Sequence, residues 1–259
     1  MTAVLANGCL DGRTAIVTGG GTGIGRATAI RLAQLGCAVA VAGRRAELLE
    51  AVVSEIETCG GRALALPGDL REPEVAAGVV DRAISAFERV DILVNNAGGQ
   101  FTAPAETVSL NGFRAVMRLN LDANWELTRL CANASMLPRG YGKVISIVLS
   151  PRRGIPGMFH SSAARAAVES MTRTLASEWG GRGVRVCCIA PGSIDTEGLR
   201  GYGVPQDAVA STIPLGRLGR PEEVAELVAF VSSPAGDFIT GTTLVIDGGV
   251  DNIDLPVSR

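Results

Sequence analysis

The most specific chemical motif in the sequence is a glycine-rich stretch, TGGGTGIGRA, from Thr18 to Ala27. Gly19 permits a tight turn, Gly23 lets the backbone approach a pyrophosphate, and Gly25 brings the following helix close to the preceding strand. The first N–H groups of that helix are free to bind an anion. The motif predicts a dinucleotide site, with a merely flexible loop as the alternative. The residues expected at the cofactor are Gly19, Gly21, Thr22, Gly23, Ile24 and Gly25.

The residues after the second apolar run indicate which dinucleotide is bound. An acidic side chain there would accept the ribose hydroxyls of NAD, but the sequence has Gly43 followed by Arg44 and Arg45. A phosphate on that ribose requires cationic donors and no carboxylate. We therefore predict NADP(H), bound at least tenfold more tightly than NAD(H), or by about 1.4 kcal/mol. The alternative is that both arginines form a solvated face at the start of a helix.

Short apolar runs rich in Val, Ile and Ala alternate with longer segments of helical period, which is typical of parallel sheets with crossover helices. They predict a single α/β domain over residues 1–259, a Rossmann-type, doubly wound parallel sheet of seven strands. We expect 1–12 to form an N-terminal tail and 194–219 to form a substrate flap, with a plain surface insertion as the alternative for the latter. The strands are predicted at 14–19, 38–43, 62–69, 90–98, 143–148, 184–192 and 242–249.

The composition favours work on a small molecule. The net charge is −2 and no long run of one sign occurs, so neither nucleic acid nor an anionic membrane is expected as a partner. The six cysteines show no metal-ligand spacing and the single histidine is His160, so we predict a reduced, metal-free, cytoplasmic protein. No apolar stretch reaches the roughly 18 residues that a membrane span needs.

Three motifs together resemble the short-chain dehydrogenase/reductase family: Thr-Gly-x-x-x-Gly-x-Gly, then NNAG after the fourth strand and APG after the sixth. The resemblance covers about residues 12–249. It implies that Asp69 touches the adenine and that Ile194 and Thr196 hold the carboxamide, although each could be turn chemistry instead. It also implies cofactor contacts along the same stretches, from Leu70, Pro191 and Gly192, with the ribose lined by Asn96, Ala97 and Gly98.

The family's active-site pattern of Asn, Ser, Tyr and Lys is mostly replaced in this sequence. Alignment on AAV at 166–168 puts Ser161 at the tyrosine position, Arg165 at the lysine and Val148 at the serine, and only Asn120 matches. A standard carbonyl reductase needs the tyrosine, with its pKa lowered by the lysine, to protonate the developing alkoxide. That proton donor is missing here.

The stretches NNAGGQFTAPAE and PGMFHSSAARAAVESMTRTLASEW resemble the trans-enoyl-CoA and dienoyl-CoA reductase branch, whose members also carry Ser in place of Tyr. The resemblance implies reduction of a C=C bond in a CoA- or carrier-bound enoyl thioester. Hydrogen-bond donors at the thioester oxygen suffice for this chemistry, since water can protonate the α-carbon. Ser161 is then one donor, and Arg165 holds the cofactor ribose. The alternatives are an atypical carbonyl or imine reductase and a non-redox or non-catalytic protein.

Three further positions invite a functional interpretation. His160 is either a proton donor beside Ser161 or a packed structural residue, and we favour the structural role because adjacent helix positions differ by about 100° in direction. Ser150 lies near where some dienoyl-CoA reductases carry a proton-donating tyrosine, and a turn-forming serine is the alternative. Arg152 and Arg153 are candidate contacts for the phosphates of a CoA or carrier arm, or else solvated loop residues.

Assembly is predicted from two long segments rich in small residues, 111–136 and 158–180. Small side chains suit close helix packing, and the family resemblance makes these segments the faces of a homotetramer.

Overall fold

A computed structural model describes residues 5–151 and 154–252 of the chain. Its seven strands are β1 (Thr14–Thr18), β2 (Ala38–Gly43), β3 (Ala63–Pro67), β4 (Ile92–Asn95), β5 (Gly142–Ile147), β6 (Val184–Pro191) and β7 (Thr243–Ile246). They form one sheet in the order β3-β2-β1-β4-β5-β6-β7, and all neighbouring strands are parallel. The predicted single-domain, Rossmann-type sheet is confirmed. Six strands lie inside their predicted runs, and β5 begins one residue early at Gly142.

Helices connect the strands and cover both faces of the sheet. Within the described ranges they are α1 (Gly23–Gln34), α2 (Ala46–Thr58), α3 (Pro73–Phe87), α4 (Leu110–Met117), α5 (Ala123–Cys131), α6 (Leu137–Arg139), α7 (Phe159–Trp179), α8 (Glu197–Arg200), α9 (Gln206–Ala210) and α10 (Pro221–Ser232). Short 3₁₀ turns at 105–107, 180–182, 234–236 and 250–252 complete the connections. In the part of the chain that the structure describes, no helix is long and apolar enough to cross a membrane.

The central strands of the sheet are buried on both faces, as expected for continuous apolar runs, whereas the edge strands β3 and β7 are only partly buried. In β1, Ala15 and Val17 pack toward α1, α2 and α10, whereas Ile16 packs toward α3, α5 and α7. All five residues of β1 are buried. The C-terminal end of β1 is thereby held rigidly, and the glycine-rich turn follows from it directly.

The segment between β4 and β5 is one nearly continuous helix interrupted by two π-helical turns. The first π turn covers 118–122, between α4 and α5, and the second covers 132–136, between α5 and α6. Asn120 lies in the first turn and is 5% exposed. A π turn adds a residue to the helix and commonly occurs at functional sites, where it redirects a side chain. Here it places Asn120 beside the loop that follows β4.

Strand order reverses direction between the neighbours β1 and β4, so the loops that follow these strands diverge and leave a crevice at their C-terminal ends. Most of the predicted site residues follow β1, β2, β4, β5 or β6 at this end. The predicted tail, 1–12, is packed at its end, because Leu10 is buried and its N–H donates to the carbonyl of Leu35 over 2.9 Å.

Candidate active site

The turn after β1 has the geometry that a dinucleotide phosphate requires. Gly19 has φ +63° and Gly23 has φ +52°, a region in which residues with a side chain are strained. A Cβ atom on Gly25 would lie 2.2 Å from the carbonyl oxygen of Gly19 and 2.5 Å from Nδ2 of Asn96. Helix α1 therefore begins against the strand end, with its first N–H groups toward the crevice, and the residues present fit a dinucleotide.

Asn96 and Thr18 lock the loop after β4 to the glycine-rich turn. Nδ2 of Asn96 donates to the carbonyls of Thr18 and Gly19, at 2.9 and 3.3 Å. Oγ1 of Thr18 accepts the backbone N–H groups of Asn96 and Ala97, both at 2.9 Å. The Asn96 side-chain amide holds the glycine-rich turn. A ribose would therefore be contacted by the backbone of 96–98.

The two arginines after β2 are exposed beside the glycine-rich turn. Arg45 donates from NH2 to Oγ1 of Thr22 over 3.3 Å, and its NH1 lies 3.8 Å from a carboxylate oxygen of Glu197. Arg44 lies close enough to Asp69 to lower the pKa of that carboxyl. Two guanidinium groups therefore lie beside the glycine-rich turn, at the end of the crevice where the adenosine of a dinucleotide would bind.

Asp69, predicted to touch the adenine, is held by Arg71. Nε of Arg71 donates to both carboxylate oxygens, at 2.9 and 3.1 Å, NH2 donates as well, and the backbone N–H of Arg71 donates at 3.1 Å. These hydrogen bonds lower the pKa of Asp69 to about 2. Leu70, between them, is 4% exposed and packs in the core. Arg71 therefore holds the Asp69 carboxylate, ionised, in one orientation.

Asn120 and Arg165 meet on either side of Gly98. Nδ2 of Asn120 donates to the carbonyl of Gly99 over 2.7 Å and to that of Val116 over 2.9 Å. A Cβ atom on Gly98 would lie 2.8 Å from Oδ1 of Asn120 and 2.8 Å from NH2 of Arg165. The structure thus brings two of the three predicted catalytic residues to the loop after β4.

Arg165 is anchored by backbone carbonyls at the end of β5. Its NH1 donates to the carbonyls of Ile147 and Val148, at 2.7 and 3.2 Å, and its Nε donates to Oγ of Ser161 over 3.3 Å. Burial lowers the pKa of the guanidinium to about 10, and Tyr202 in the flap opposes that shift. Val148 cannot supply the hydroxyl of the family pattern, but its carbonyl oxygen holds the cation in place.

Ser161 also contacts Gln100, a residue that the sequence analysis missed. Oγ of Ser161 lies 3.5 Å from Oε1 of Gln100, and Ser161 itself has no exposed surface. Because Arg165 donates to Ser161, the serine hydrogen is available to an acceptor, which in this structure is the Gln100 amide. The only signal in the sequence was that Gln100 follows NNAGG.

His160 is a packed residue, as the favoured interpretation predicted. It is 0% exposed, its ring centroid lies 4.4 Å from that of Phe101 in an edge-on arrangement, and it stacks on Phe159 at 5.5 Å. Nδ1 accepts the backbone N–H of Ser161 over 2.8 Å, and Nε2 is buried with no hydrogen-bond partner among the residues that the structure describes.

Ser150 is engaged in holding the C-terminal turn. Its hydroxyl donates to Asp247, and the Asp247 carboxylate also accepts the N–H groups of Gly249 and Asp251, at 2.8 and 2.7 Å. Burial by itself raises the pKa of Asp247, but these hydrogen bonds outweigh it and leave that pKa below its ordinary value. The contacts fit the structural alternative for Ser150. Arg152 and Arg153 lie outside the described residues.

The stretch after β6 joins the cofactor crevice to the predicted flap. Ile194 is 7% exposed and pairs with Gly219, so both ends of the flap are tied together. Oγ1 of Thr196 caps α8 by accepting the N–H of Leu199 over 3.2 Å. Pro191 ends β6 and Gly192 follows it beside the C-terminal turn, where a Cβ atom on Gly192 would lie 2.8 Å from Cα of Asp247. In residues 5–151 and 154–252, no cluster of His, Cys, Asp or Glu could hold a metal ion.

Comparison with known proteins decides the family. The family model described as Enoyl-(Acyl carrier protein) reductase matches residues 19–251. A probable 2,4-dienoyl-CoA reductase of Bacillus subtilis is 38% identical over 246 residues, which cover 93% of this chain and 97% of that protein. The chain belongs to the short-chain dehydrogenase/reductase family. The predicted family and the predicted resemblance to enoyl and dienoyl reductases are confirmed.

Two solved structures of this family are similar along nearly the whole chain. A citronellol catabolism dehydrogenase, AtuB, of Pseudomonas aeruginosa PAO1 is 39% identical, covers 97% of this chain and 100% of its own, and has a TM-score of 0.87. A short-chain dehydrogenase of Burkholderia cenocepacia, solved in complex with NADP, is 37% identical, covers 93% of this chain and 99% of its own, and has a TM-score of 0.88. NADP is the dinucleotide that Arg44 and Arg45 predict for the present chain.

Proposed function

We propose that this short-chain oxidoreductase uses NADPH to reduce the C=C bond of an enoyl or dienoyl thioester. The observation that carries the proposal is the pair of Ser161 and Arg165, a hydroxyl donor held by a fixed cation, in place of a phenol and an ammonium. A serine hydroxyl is about as weakly acidic as the alcohol that an alkoxide would become, so it gives little drive for that proton transfer, but it stabilises an enolate oxygen by a hydrogen bond.

The protein's part in the reaction is to orient and stabilise the thioester oxygen. A dinucleotide held by the glycine-rich turn would supply the hydride for the carbon–carbon double bond, and the negative charge that develops on the thioester oxygen is what these residues would stabilise. The oxygen takes the acceptor position that Oε1 of Gln100 occupies beside Ser161, and the Gln100 amide N–H group can then serve as a second donor. Ser161 lies in the first turn of α7, a helix of 21 residues, whose N-terminus favours negative charge.

Arg165 strengthens the hydrogen bond that Ser161 donates to the thioester oxygen. Its guanidinium stays charged under assay conditions, since burial lowers its pKa only to about 10. The cation polarises the Ser161 hydroxyl and, through NH2 beside Gly98, faces the loop where the cofactor ribose would lie. Because the guanidinium of Arg165 keeps its proton at neutral pH, it does not serve as the acid, and the proton on the α-carbon comes from water.

NADPH is preferred over NADH because the adenosine end of the crevice carries cations and no carboxylate after β2. Arg44 and Arg45 are exposed there, and Arg45 is already directed to Thr22 in the glycine-rich turn. A 2′-phosphate is a strong acceptor for such guanidinium groups. The NADP complex of the Burkholderia relative supports the same choice.

The substrate class is supported by the Bacillus relative, a probable 2,4-dienoyl-CoA reductase, and by the enoyl reductase family model. The runner-up is reduction of a carbonyl or imine, or the reverse oxidation, a class that the Pseudomonas citronellol catabolism dehydrogenase supports. That chemistry requires a proton donor at the alkoxide. Among the described side chains, the Ser161 hydroxyl contacts an amide, that of Gln100, and a guanidinium, that of Arg165.

The deciding experiment compares three thioesters at saturating NADPH. Crotonyl, 2,4-hexadienoyl and acetoacetyl thioesters are offered to the same enzyme, and NADPH oxidation is followed by absorbance with product identification by mass spectrometry. We expect reduction of crotonyl or hexadienoyl thioester, or both, with acetoacetyl thioester at least tenfold slower. A faster acetoacetyl reaction would establish a carbonyl reductase. NADPH binding without oxidation of any substrate would support a non-catalytic role.

We also propose a homotetramer and a cytoplasmic location. Exposed apolar side chains lie on or beside both predicted interface segments, namely Leu110 (60% exposed), Trp125 (38%) and Phe159 (40%). A tetramer with two-fold axes needs a second interface, and Phe238 and Val245 offer apolar surface at the β7 edge. The location rests on six cysteines that are all free thiols.

A further inference from the structure

We propose that Glu197, at the start of the flap, is an internal competitor of the cofactor's 2′-phosphate and thereby reduces the enzyme's preference for NADPH over NADH. The inference rests on the proposed function, in which Arg45 binds that phosphate. The experiment below separates the two.

The contact between Arg45 and Glu197 crosses the mouth of the cofactor crevice. Arg45 precedes α2 on one side, and Glu197 is the first residue of α8 on the other. NH1 of Arg45 lies 3.8 Å from Oε2 of Glu197, while NH2 donates to Oγ1 of Thr22 over 3.3 Å. A single guanidinium therefore connects the glycine-rich turn to the flap.

The position of Glu197 is fixed by its neighbours in the chain. Cγ2 of Thr196 is 3.0 Å from where a Cβ atom on Gly23 would lie, so the flap begins against the glycine-rich turn. Oγ1 of Thr196 caps α8. The next acidic residue, Asp195, faces the other way, because Nε and NH2 of Arg200 donate to it at 3.0 and 3.1 Å. Glu197 is thus the flap carboxylate that reaches Arg45.

Charge decides what happens when the cofactor arrives. The 2′-phosphate carries more negative charge than a carboxylate and offers three acceptor oxygens, so it outcompetes Glu197 for Arg45. The displaced carboxylate remains near the phosphates and opposes them. NADH, which lacks the 2′-phosphate, leaves the Arg45–Glu197 pair in place. Both side chains are more than half exposed, at 57% and 68%, so we expect an effect of roughly twofold to fivefold on affinity.

The test measures dissociation constants of NADPH and NADH by calorimetry for four proteins: the parent, Glu197→Gln, Arg45→Ala and the double variant. Adenosine 2′,5′-bisphosphate and ADP serve as probes that lack the nicotinamide. Asp207→Asn, which removes the same charge from α9, is the matched control, since Asp207 is exposed and no ion pair joins it to Arg45 among the described residues.

We expect Glu197→Gln to tighten NADPH and adenosine 2′,5′-bisphosphate by about twofold to fivefold at low salt, with little change for NADH and ADP. The gain should shrink in 0.5 M salt and vanish in the Arg45→Ala background. Asp207→Asn should leave the ratio unchanged. Equal tightening of NADPH and NADH, or none, would overturn the role of Glu197. Arg45→Ala weakening NADPH and NADH alike would instead overturn the phosphate site itself.

Discussion

The guanidinium of Arg165 donates from Nε to the hydroxyl of Ser161 over 3.3 Å, one helical turn earlier on α7, while its NH1 is held by the carbonyl of Ile147 at 2.7 Å. The cation is therefore fixed at two points, and the serine that it polarises has its hydrogen directed away from it. This geometry gives a stationary hydrogen-bond donor, which suits stabilisation of an oxyanion better than transfer of a proton.

Removal of the Ser161 hydroxyl should slow chemistry and spare cofactor binding. In Ser161→Ala we expect kcat for an enoyl thioester to fall by roughly 10²-fold to 10³-fold, the usual cost of one oxyanion donor. The dissociation constant of NADPH should stay nearly unchanged. Steady-state NADPH oxidation and a binding titration check the two statements. Full activity of the variant would mean that the oxygen is stabilised by other groups.

The charge on Arg165 should make the parent enzyme insensitive to pH in the neutral range. Its pKa is lowered by burial to about 10, so the cation is present at lower pH and lost only above that value. We expect a flat kcat between about pH 6 and 9. In Arg165→Lys, burial of an ammonium whose ordinary pKa is about 10.4 should bring the loss of charge, and of activity, into the range of about pH 7 to 9. A variant with a profile as flat as the parent's would contradict this role.

The close approach of α1 to the β1 turn should make Gly25 irreplaceable. Gly25→Ala would put Cβ 2.2 Å from the carbonyl oxygen of Gly19. We therefore expect the free energy of unfolding to fall by about 3 kcal/mol or more, and NADPH binding to be lost as well. Gly78 in α3 is the matched control, since a Cβ atom there meets nothing within 4 Å. Gly78→Ala should stabilise the protein by about 0.5–1 kcal/mol. Urea unfolding curves compare the two variants, and similar stabilities would refute the steric argument.

The Ser150 hydroxyl should matter for stability and not for proton transfer. Because it donates to Asp247, Ser150→Ala should lower the free energy of unfolding by about 1–2 kcal/mol at neutral pH and leave kcat nearly unchanged. The folded-state pKa of Asp247 lies below its ordinary 3.8, so its contribution is present above that value and is lost as the pH falls through the folded-state value. The difference in stability between parent and variant should therefore be constant above pH 3.8 and shrink as the pH is lowered further, which unfolding curves measured over that range would show. A large fall in kcat without a stability change would restore Ser150 as a proton donor.

The proposed tetramer should depend on the exposed apolar surface of α5. We expect the parent to sediment as a tetramer at micromolar concentration. Trp125→Glu places a charge on a side chain that is 38% exposed in the single chain, and should shift sedimentation to a smaller species. Glu57→Gln, an exposed change on α2 outside both predicted interface segments, serves as a control that should sediment like the parent. A parent that sediments as a monomer would refute the assembly.

Much of the fold follows from local pattern. The positions of all seven strands were predicted because each is a continuous apolar run between helical segments, and such runs are buried on both faces of a parallel sheet. The long helix before β5 was predicted too, but not its π turn at 118–122, which depends on how Asn120 packs against Gly99. A sequence of good helix formers does not reveal one extra residue in a turn.

The candidate site also combines residues that were predicted from local sequence with contacts that only the fold creates. The glycine spacing, the arginines after β2 and the four-residue separation of Ser161 and Arg165 are local, so the sequence by itself determined a dinucleotide turn, its charge preference and an i, i+4 pair on one helix face. Gln100 approaches Ser161 across 61 residues, and Glu197 reaches Arg45 from a different loop. Such contacts arise only when separate strands bring their following loops to one edge of the sheet, because side chains far apart in the chain meet through packing and not through periodicity. Tertiary structure therefore decided that His160 is a packed residue, that Ser150 binds Asp247, and which groups surround the serine.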